Sequence, residues 1–236
     1  MSMPDSNSVV AREALTGDLA AFLDEVKATH ALAARGRLIF GLDATASRNR
    51  TWDMATTLTA GMFREAGAIG GLDLQLVYYR GDRECRASCW VSDADRLLKM
   101  MTKIACEPGE TQIERILAHA IKETAKLQVN ALVFIGDAIE ESLDILVARA
   151  RELGRLGAPV FMFQEGNHPG VQRAFQDIAT NTGGAYAKFD AGAAKQLGEY
   201  LRAVAVFATG GIAALEGRKD AASTLLLGQI KKRGKW

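Results

Sequence analysis

The hydrophobic positions of the chain fall into short apolar runs separated by longer segments with helical periodicity. Three runs, Leu38–Leu42, Ala131–Ile135 and Val160–Phe163, are continuous and lack alternation between apolar and polar residues. This pattern predicts strands covered on both faces, although a short apolar run alone does not exclude a buried helix. Ala185–Phe189 is a further, short candidate strand.

Amphipathic segments alternate with these runs, and their apolar residues recur at spacings of three and four. They predict helices that begin near residues 16, 52, 93, 113, 143, 171 and 197. Strands alternating with amphipathic helices indicate βαβ units. We therefore predict the α/β class, with a three-layer, doubly wound, Rossmann-like architecture and a mostly parallel sheet.

One part of the pattern predicts the edge of the sheet. Leu72, Leu74 and Leu76 alternate with polar residues, as in a strand near an edge, and Gly81–Arg83 forms a short turn. Cys85–Val91 then predicts a strand that returns antiparallel. Cys85 and Cys89 would share one face of it, and their spacing favours packing over a zinc site.

The length of 236 residues fits one domain of ordinary size with extensions. We expect an N-terminal extension with an amphipathic helix (1–35), a central domain (36–207), and a C-terminal extension with a short helix and a basic tail (208–236). The apolar cluster Leu225–Leu227 lies in this last part. It must be covered by the domain, by a partner or by a second copy, which leaves a homo-oligomer through the extension open.

Composition narrows the class of protein. Hydrophobic residues make up 48% and charged residues 24%, as in soluble globular proteins. A formal net charge of +1 argues against strong nonspecific attraction to nucleic acid or to an anionic membrane, and we expect neither as a partner. The polar N-terminus lacks the apolar core of a secretory signal, no apolar stretch reaches membrane length, and three cysteines make no disulfide framework. We expect a cytoplasmic protein.

Oxygen-bearing side chains follow two of the predicted buried strands. Asp43, Thr45 and Ser47 come at alternate positions after the first, and Asp137 follows Ala131–Ile135. In an open α/β sheet, ligands bind at the carboxyl ends of the strands, where the strand order reverses. Hard oxygen ligands at that place suit a small divalent cation such as Mg²⁺.

These residues resemble a known pattern. Asp43–Ser47 after the first strand, Gly109-Glu110-Thr111 before a helix and Gly136-Asp137 after a central strand resemble the von Willebrand factor A (vWA) domain, across roughly residues 36–207. Their order matches the metal-ion-dependent adhesion site (MIDAS) of that family, whose motif is Asp-x-Ser-x-Ser with a distant Thr and Asp. Thr45 replaces the commoner serine, and Ala138 stands where many relatives have glycine.

The resemblance implies a ligand set and a function. Thr45, Ser47 and Thr111 would offer hydroxyls directly to one Mg²⁺ or Mn²⁺, and Asp43 and Asp137 would hold it mainly through waters. An Asp or Glu of a protein partner would complete the metal's shell. In intracellular bacterial relatives such partners are often ATPases or accessory proteins. The chain is thus expected to be a cation-dependent interaction module and not an enzyme.

The arginines after the oxygen triplet bear on the strength of such a site. Arg48 and Arg50 follow it directly, near the start of a predicted helix, where the helix dipole disfavours cations. They would weaken metal binding or form a basic rim that attracts an acidic partner.

Other interpretations of the same residues stay open. Thr111 with Glu114 makes a capping box, which explains Thr111 without a metal. An Mg²⁺-dependent hydrolase or phosphoesterase could use the metal with Glu165 and His168, although His168-Pro169 also fits a helix start. Glu140 and Glu141 fit a solvated helix start. A third alternative is a structural assembly subunit without a functional metal.

Overall fold

The computed structural model describes residues 35–46, 53, 57, 58, 61, 71–190 and 193–233. Contacts divide the chain into one unit of residues 1–35 and another of residues 36–236, and the second unit is the one described below. The predicted helix over residues 16–34 and most of the one predicted from residue 52 lie outside the described residues. Residues 53, 57, 58 and 61 are helical.

Six strands form one sheet in the order β3-β2-β1-β4-β5-β6. All neighbouring strands are parallel except β2 and β3, which are antiparallel. The prediction of a mostly parallel sheet with one antiparallel edge strand is confirmed. The strands are β1 Gly36–Asp43, β2 Leu72–Arg80, β3 Glu84–Ala87, β4 Ala131–Gly136, β5 Val160–Glu165 and β6 Ala185–Phe189.

Helices cover both faces of this sheet. In chain order they are α1 Ala94–Met101, α2 Ile113–Lys126, α3 Leu143–Arg155, α4 Pro169–Thr182, α5 Ala194–Glu216 and α6 Ala221–Arg233. On one face, Leu38 and Phe40 of β1 belong to a core cluster with residues of α1, α5 and α6. On the other, Ile39 belongs to a cluster with α2, α3 and α4. Successive residues of β1 thus enter opposite layers, which explains why the strand is apolar without alternation.

The predicted edge strand Cys85–Val91 is shorter than expected, because the ladder is interrupted. Ser88 N–H donates to Leu76 O at 2.8 Å, and the next pairing is the bridge between Leu74 and Val91. Two residue steps on β2, from Leu76 to Leu74, therefore lie opposite three steps on the other segment, from Ser88 to Val91. The extra residue makes this a β-bulge. The Ser88 hydroxyl accepts the Leu76 N–H at 3.0 Å and supports it. Cys89 lies beyond the strand and does not share a strand face with Cys85.

The C-terminal helices pack on the domain. α5 runs through residue 207 to Glu216, with a non-helical backbone at Gly211 (φ 66°). Leu226 of α6 is fully buried in the core cluster, and Leu227 packs partly against it, whereas Leu225 is exposed. One of the three leucines thus joins the core of the domain. The domain boundaries drawn at residues 35 and 207 stay predictions.

Candidate metal centre at the carboxyl edge of the sheet

The chain turns sharply where β1 ends, and two predicted ligands form the turn. The Asp43 carboxylate accepts the Thr45 N–H at 2.8 Å, which is the local bond that makes Asp common in turns. The intervening Ala44 N–H donates to Tyr79 O of β2 at 2.9 Å. Asp43 is 3% exposed and Thr45 8%, so two polar side chains are held inside the carboxyl edge of the sheet.

Asp137 lies at the same edge, one strand away. β1 and β4 are parallel, with Leu42 paired to Ile135, so that Asp43 lies beside Gly136 and Asp137 follows directly. The strand order reverses between β1 and β4, because β2 and β3 lie on one side of this pair and β5 and β6 on the other. Asp43 and Asp137 thus flank the place where open α/β sheets bind ligands.

The loop that carries Thr111 is tied to the end of β1. Glu107 N–H donates to Ala44 O at 3.0 Å. Arg80, at the end of β2, donates to Ala105 O at 2.7 Å and forms an ion pair with Glu107 at 2.9 Å. A Cβ on Gly109 would lie 2.2 Å from Gly81 O, so the backbone of the β2–β3 turn touches this loop. Tertiary contacts therefore hold the loop before α2 against the end of β1 at Ala44 and against the β2–β3 turn.

Two glutamates from the loop after β4 surround Thr111, which is 6% exposed. Its hydroxyl donates to the Glu141 carboxylate at 2.5 Å and accepts the Glu140 N–H at 2.8 Å. Its own N–H donates to the Glu140 carboxylate at 2.6 Å. Glu140 is exposed and both glutamates directly precede Ser142, the N-cap of α3, as a solvated helix start predicts, but both side chains also bind Thr111 across 29 or 30 residues of sequence.

The same contacts exclude the capping box expected from Thr111 and Glu114. The N-cap of α2 is Gln112, which makes no side-chain capping bond. The Glu114 N–H instead donates to Glu141 at 3.0 Å. A carboxylate near the helix N-terminus also complements the helix dipole. Glu141 therefore caps α2 from another loop.

The remaining predicted residues have different outcomes. Ser47, Arg48 and Arg50 lie outside the described residues. His168 is the N-cap of α4, with Pro169 at its start, which confirms the predicted helix start. Its Nδ1 accepts the Val171 N–H at 3.4 Å. Glu165 ends β5, beyond β4 at the same edge of the sheet.

The donor chemistry at this edge fits a hard cation. The Thr111 hydroxyl donates a hydrogen bond to Glu141 and accepts one from the Glu140 N–H, so one of the two lone pairs of Oγ1 remains for a ligand bond. A carboxylate that accepts a hydrogen bond from a hydroxyl points the hydroxyl hydrogen away from the cation and makes the hydroxyl oxygen a better metal ligand. Among the described residues no group of three or more His, Cys, Asp or Glu side chains could hold a metal. A site here would therefore depend on hydroxyls as well as carboxylates.

Comparisons with known proteins identify the fold. No protein-family model matches the sequence, and no curated protein matches it. Solved structures do match in shape. The VWA domain of SpRpn10 superposes with a TM-score of 0.55 at 14% identity, over 75% of this chain and 98% of that one. An aerotolerance-related membrane protein from Bacteroides fragilis gives 0.55 at 16% identity, over 70% and 96%.

A third match contains an occupied metal motif. Proximal thread matrix protein 1 from the mussel byssus, in a structure with a zinc-occupied MIDAS motif, superposes with a TM-score of 0.54 at 13% identity, over 72% of this chain and 46% of that one. In the described part of this chain no helix is long and apolar enough to cross a membrane. Identities this low establish the shape alone, and that shape, with its strand order and its antiparallel edge, is the fold of a vWA domain.

Proposed function

We propose that this chain is a divalent-cation-dependent protein-interaction module. The observation that carries the proposal is the set of tertiary contacts that fixes the position of Thr111. Its loop is bonded to the end of β1 through Ala44, and its hydroxyl is oriented by Glu141 from the loop after β4. A capping role for Thr111, the strongest competing explanation, is taken over by Glu141.

The roles follow from the resemblance to the vWA domain. Hydroxyls of Thr45, Ser47 and Thr111 would bind one Mg²⁺ or Mn²⁺, with Asp43 and Asp137 acting mainly through waters. The occupied motif of the mussel protein supports a divalent metal in this fold. When bound, the cation supplies positive charge that attracts a carboxylate.

The partner is proposed to be a protein that presents Asp or Glu. A charge-assisted bond to a cation is directional and stronger than an ordinary surface pair. An ATPase or accessory protein is the kind of partner that the resemblance implies. Arg48 and Arg50, as a basic rim, would raise the rate of encounter more than the final affinity.

Glu141 refines this proposal. Its carboxylate contacts Thr111, so it would neutralise part of the charge of a cation bound there. The net attraction for a partner carboxylate would then be weaker than at a site whose nearest neighbours are neutral.

Titration of Mn²⁺ into the wild-type protein and into Asp43→Ala, followed by isothermal calorimetry, tests the metal site. Asp95→Ala is the matched control, because Asp95 is an exposed carboxylate in the first turn of α1. We expect saturable binding to the wild type and the control, and its loss in Asp43→Ala. Equal heats from the wild type and Asp43→Ala would end the proposal.

Capture of a partner from the native host, with Mg²⁺ and then with EDTA, tests whether the proposed protein partner binds through the metal. Thr111→Ala should abolish capture, whereas Arg48→Ala should mainly slow association and reduce its salt dependence. A partner retained equally in EDTA and by Asp43→Ala would show that the interaction does not use the metal.

A further inference from the structure

The β3 edge of the described sheet borders a basic groove on the flank of the domain. The groove has a volume of about 420 Å³ and lies between β3 and α2. One wall is the strand itself, at Cys85, Arg86 and Ala87. The other wall comes from α2 and from Arg149 of α3.

Cations dominate the charge of this groove. Its lining contains four basic side chains and one carboxylate, namely Arg86, Arg115, Lys122, Arg149 and Glu114. Arg149 pairs with Glu114 at 2.7 Å, and Arg86 with Glu84 at 2.7 Å. Arg115 and Lys122 form no ion pair with a described carboxylate, and both are exposed. Arg115 Nη1 donates to Arg83 O and to Gln112 Oε1, which are neutral groups, so no described carboxylate neutralises the charge of Arg115 or of Lys122.

The backbone of β3 offers a second set of contacts. Hydrogen-bonded and non-hydrogen-bonded pairs alternate along an antiparallel ladder. Ser88 N–H bonds to Leu76 O, so the backbone groups of Arg86 point toward β2 and those of Cys85 and Ala87 point away from it. In the described sheet β3 is the end strand. An edge of this kind can pair with another extended chain.

We propose that the β3 edge and the basic groove together bind an acidic, extended segment of a partner protein. The segment would add a strand alongside β3, bonding to the outward backbone groups of Cys85 and Ala87. Its carboxylates, on the face turned to α2, would meet Arg115 and Lys122. This contact uses no residue of the proposed metal site, so we expect the segment to bind whether or not a cation is present.

The test uses a fluorescein-labelled peptide of four Glu-Thr repeats, whose anisotropy is measured with the full chain in EDTA. The charge-reversed peptide of four Lys-Thr repeats and single-stranded oligothymidylate are the comparison probes. We expect binding of the acidic peptide alone. Equal binding of oligothymidylate would show a general polyanion surface and overturn the proposal, as would equal binding of the basic peptide or no binding of the acidic one.

Two kinds of variant separate the contribution of charge from that of backbone pairing. Lys122→Glu breaks no hydrogen bond or ion pair given by the described residues, whereas Arg115→Glu removes the bonds of Arg115 to Arg83 O and Gln112 Oε1. The double variant should weaken binding of the acidic peptide about tenfold, and Lys122→Glu alone should weaken it less. Ala87→Pro removes an outward N–H and leaves the bonds of Arg86 to β2, so it should also weaken binding. Lys99→Glu, an equal charge change on α1 on the opposite face of the sheet, is the control.

The outcomes are decisive in each case. Loss of affinity in the charge variants and in Ala87→Pro, with Lys99→Glu unchanged, supports the proposal. Unchanged affinity in Lys122→Glu with Arg115→Glu contradicts the charged contact, and unchanged affinity in Ala87→Pro contradicts strand addition. Circular dichroism of each variant confirms that it is folded before binding is measured.

Discussion

Helices α2 and α4 lie in the same layer and begin at the same edge of the sheet, but their first turns are stabilised differently. α4 is capped by His168, the residue directly before it, and starts with Pro169. α2 has no side-chain cap of its own, and Glu141 of a distant loop accepts the Glu114 N–H. The start of α4 is thus stabilised by neighbouring residues, whereas the start of α2 depends on tertiary structure. The proposed ligand Thr111 lies directly before α2.

The loops before these two helices should respond differently to the same substitution. Gly109→Ala would place a methyl group 2.2 Å from Gly81 O, and the backbone of two loops would have to separate. We expect a loss of about 3 kcal/mol in the free energy of unfolding. Gly166→Ala, before α4, meets nothing within 4 Å but has φ +78°, so we expect about 1 kcal/mol.

Urea unfolding of both variants measures these losses from the shift in midpoint at constant slope. Gly109→Ala should also weaken Mn²⁺ binding, because its loop carries Thr111, and Gly166→Ala should not. Equal losses of stability would mean that the contact between the Thr111 loop and the β2–β3 turn has little energetic weight.

Removing the two caps should give the next largest difference. Glu141→Ala deletes the acceptor of both the Thr111 hydroxyl and the Glu114 N–H, for an expected loss of about 2 kcal/mol. His168→Ala deletes one long bond of 3.4 Å, for about 0.5 kcal/mol. Urea unfolding again provides the measurement. A larger loss for His168→Ala would reverse the comparison between the two helix starts.

A milder change at Glu141 separates stability from cation affinity. Glu141→Gln keeps an oxygen that can accept from Thr111 but removes the charge that polarises the hydroxyl. We expect Mn²⁺ to bind about tenfold more weakly. Glu152→Gln, an exposed carboxylate on α3 that pairs with Arg149, is the matched control in the same calorimetric titration. An unchanged dissociation constant in Glu141→Gln would remove Glu141 from the proposed site.

The two helix starts also show which features of the fold and the candidate site could be predicted from the sequence. The start at His168-Pro169 and the buried strand Leu38–Leu42 follow from neighbouring residues, and both were predictable. So was the position of Asp43 and Asp137 at the carboxyl ends of their strands. The contact of Glu141 with Thr111 joins residues 30 apart, and no local pattern encodes it.

The same limit applies at the edge of the sheet. The turn at Gly81–Arg83 indicated an antiparallel strand, and that strand is present. Its early end at Ala87 goes with the Ser88 hydroxyl accepting the Leu76 N–H, a contact between β2 and the residue that follows β3. Whether Asp43, Thr45, Ser47, Thr111 and Asp137 bind a cation stays a prediction, because ligand chemistry is a property of the assembled edge.

The smallest expected effect concerns His119, a titratable residue of α2. Burial lowers the pKa of His119 below its ordinary value of 6.5, with nearby Lys126 and Lys122 acting in the same direction and Glu123 opposing. His119 Nε2 lies 2.8 Å from Gln75 Oε1, as expected for a neutral ring that donates to the amide oxygen. Since the folded state disfavours the protonated ring, the unfolded state binds more protons as pH falls through 6.5. The contribution of neutral His119 to stability is therefore present above pH 6.5 and is lost progressively as the pH falls toward the lowered pKa.

Urea unfolding between pH 7.5 and 5.5 should show this loss of stability in the wild type and a flatter pH dependence in His119→Gln. The same slope in both proteins would mean that His119 is protonated as readily in the folded chain as in the unfolded one.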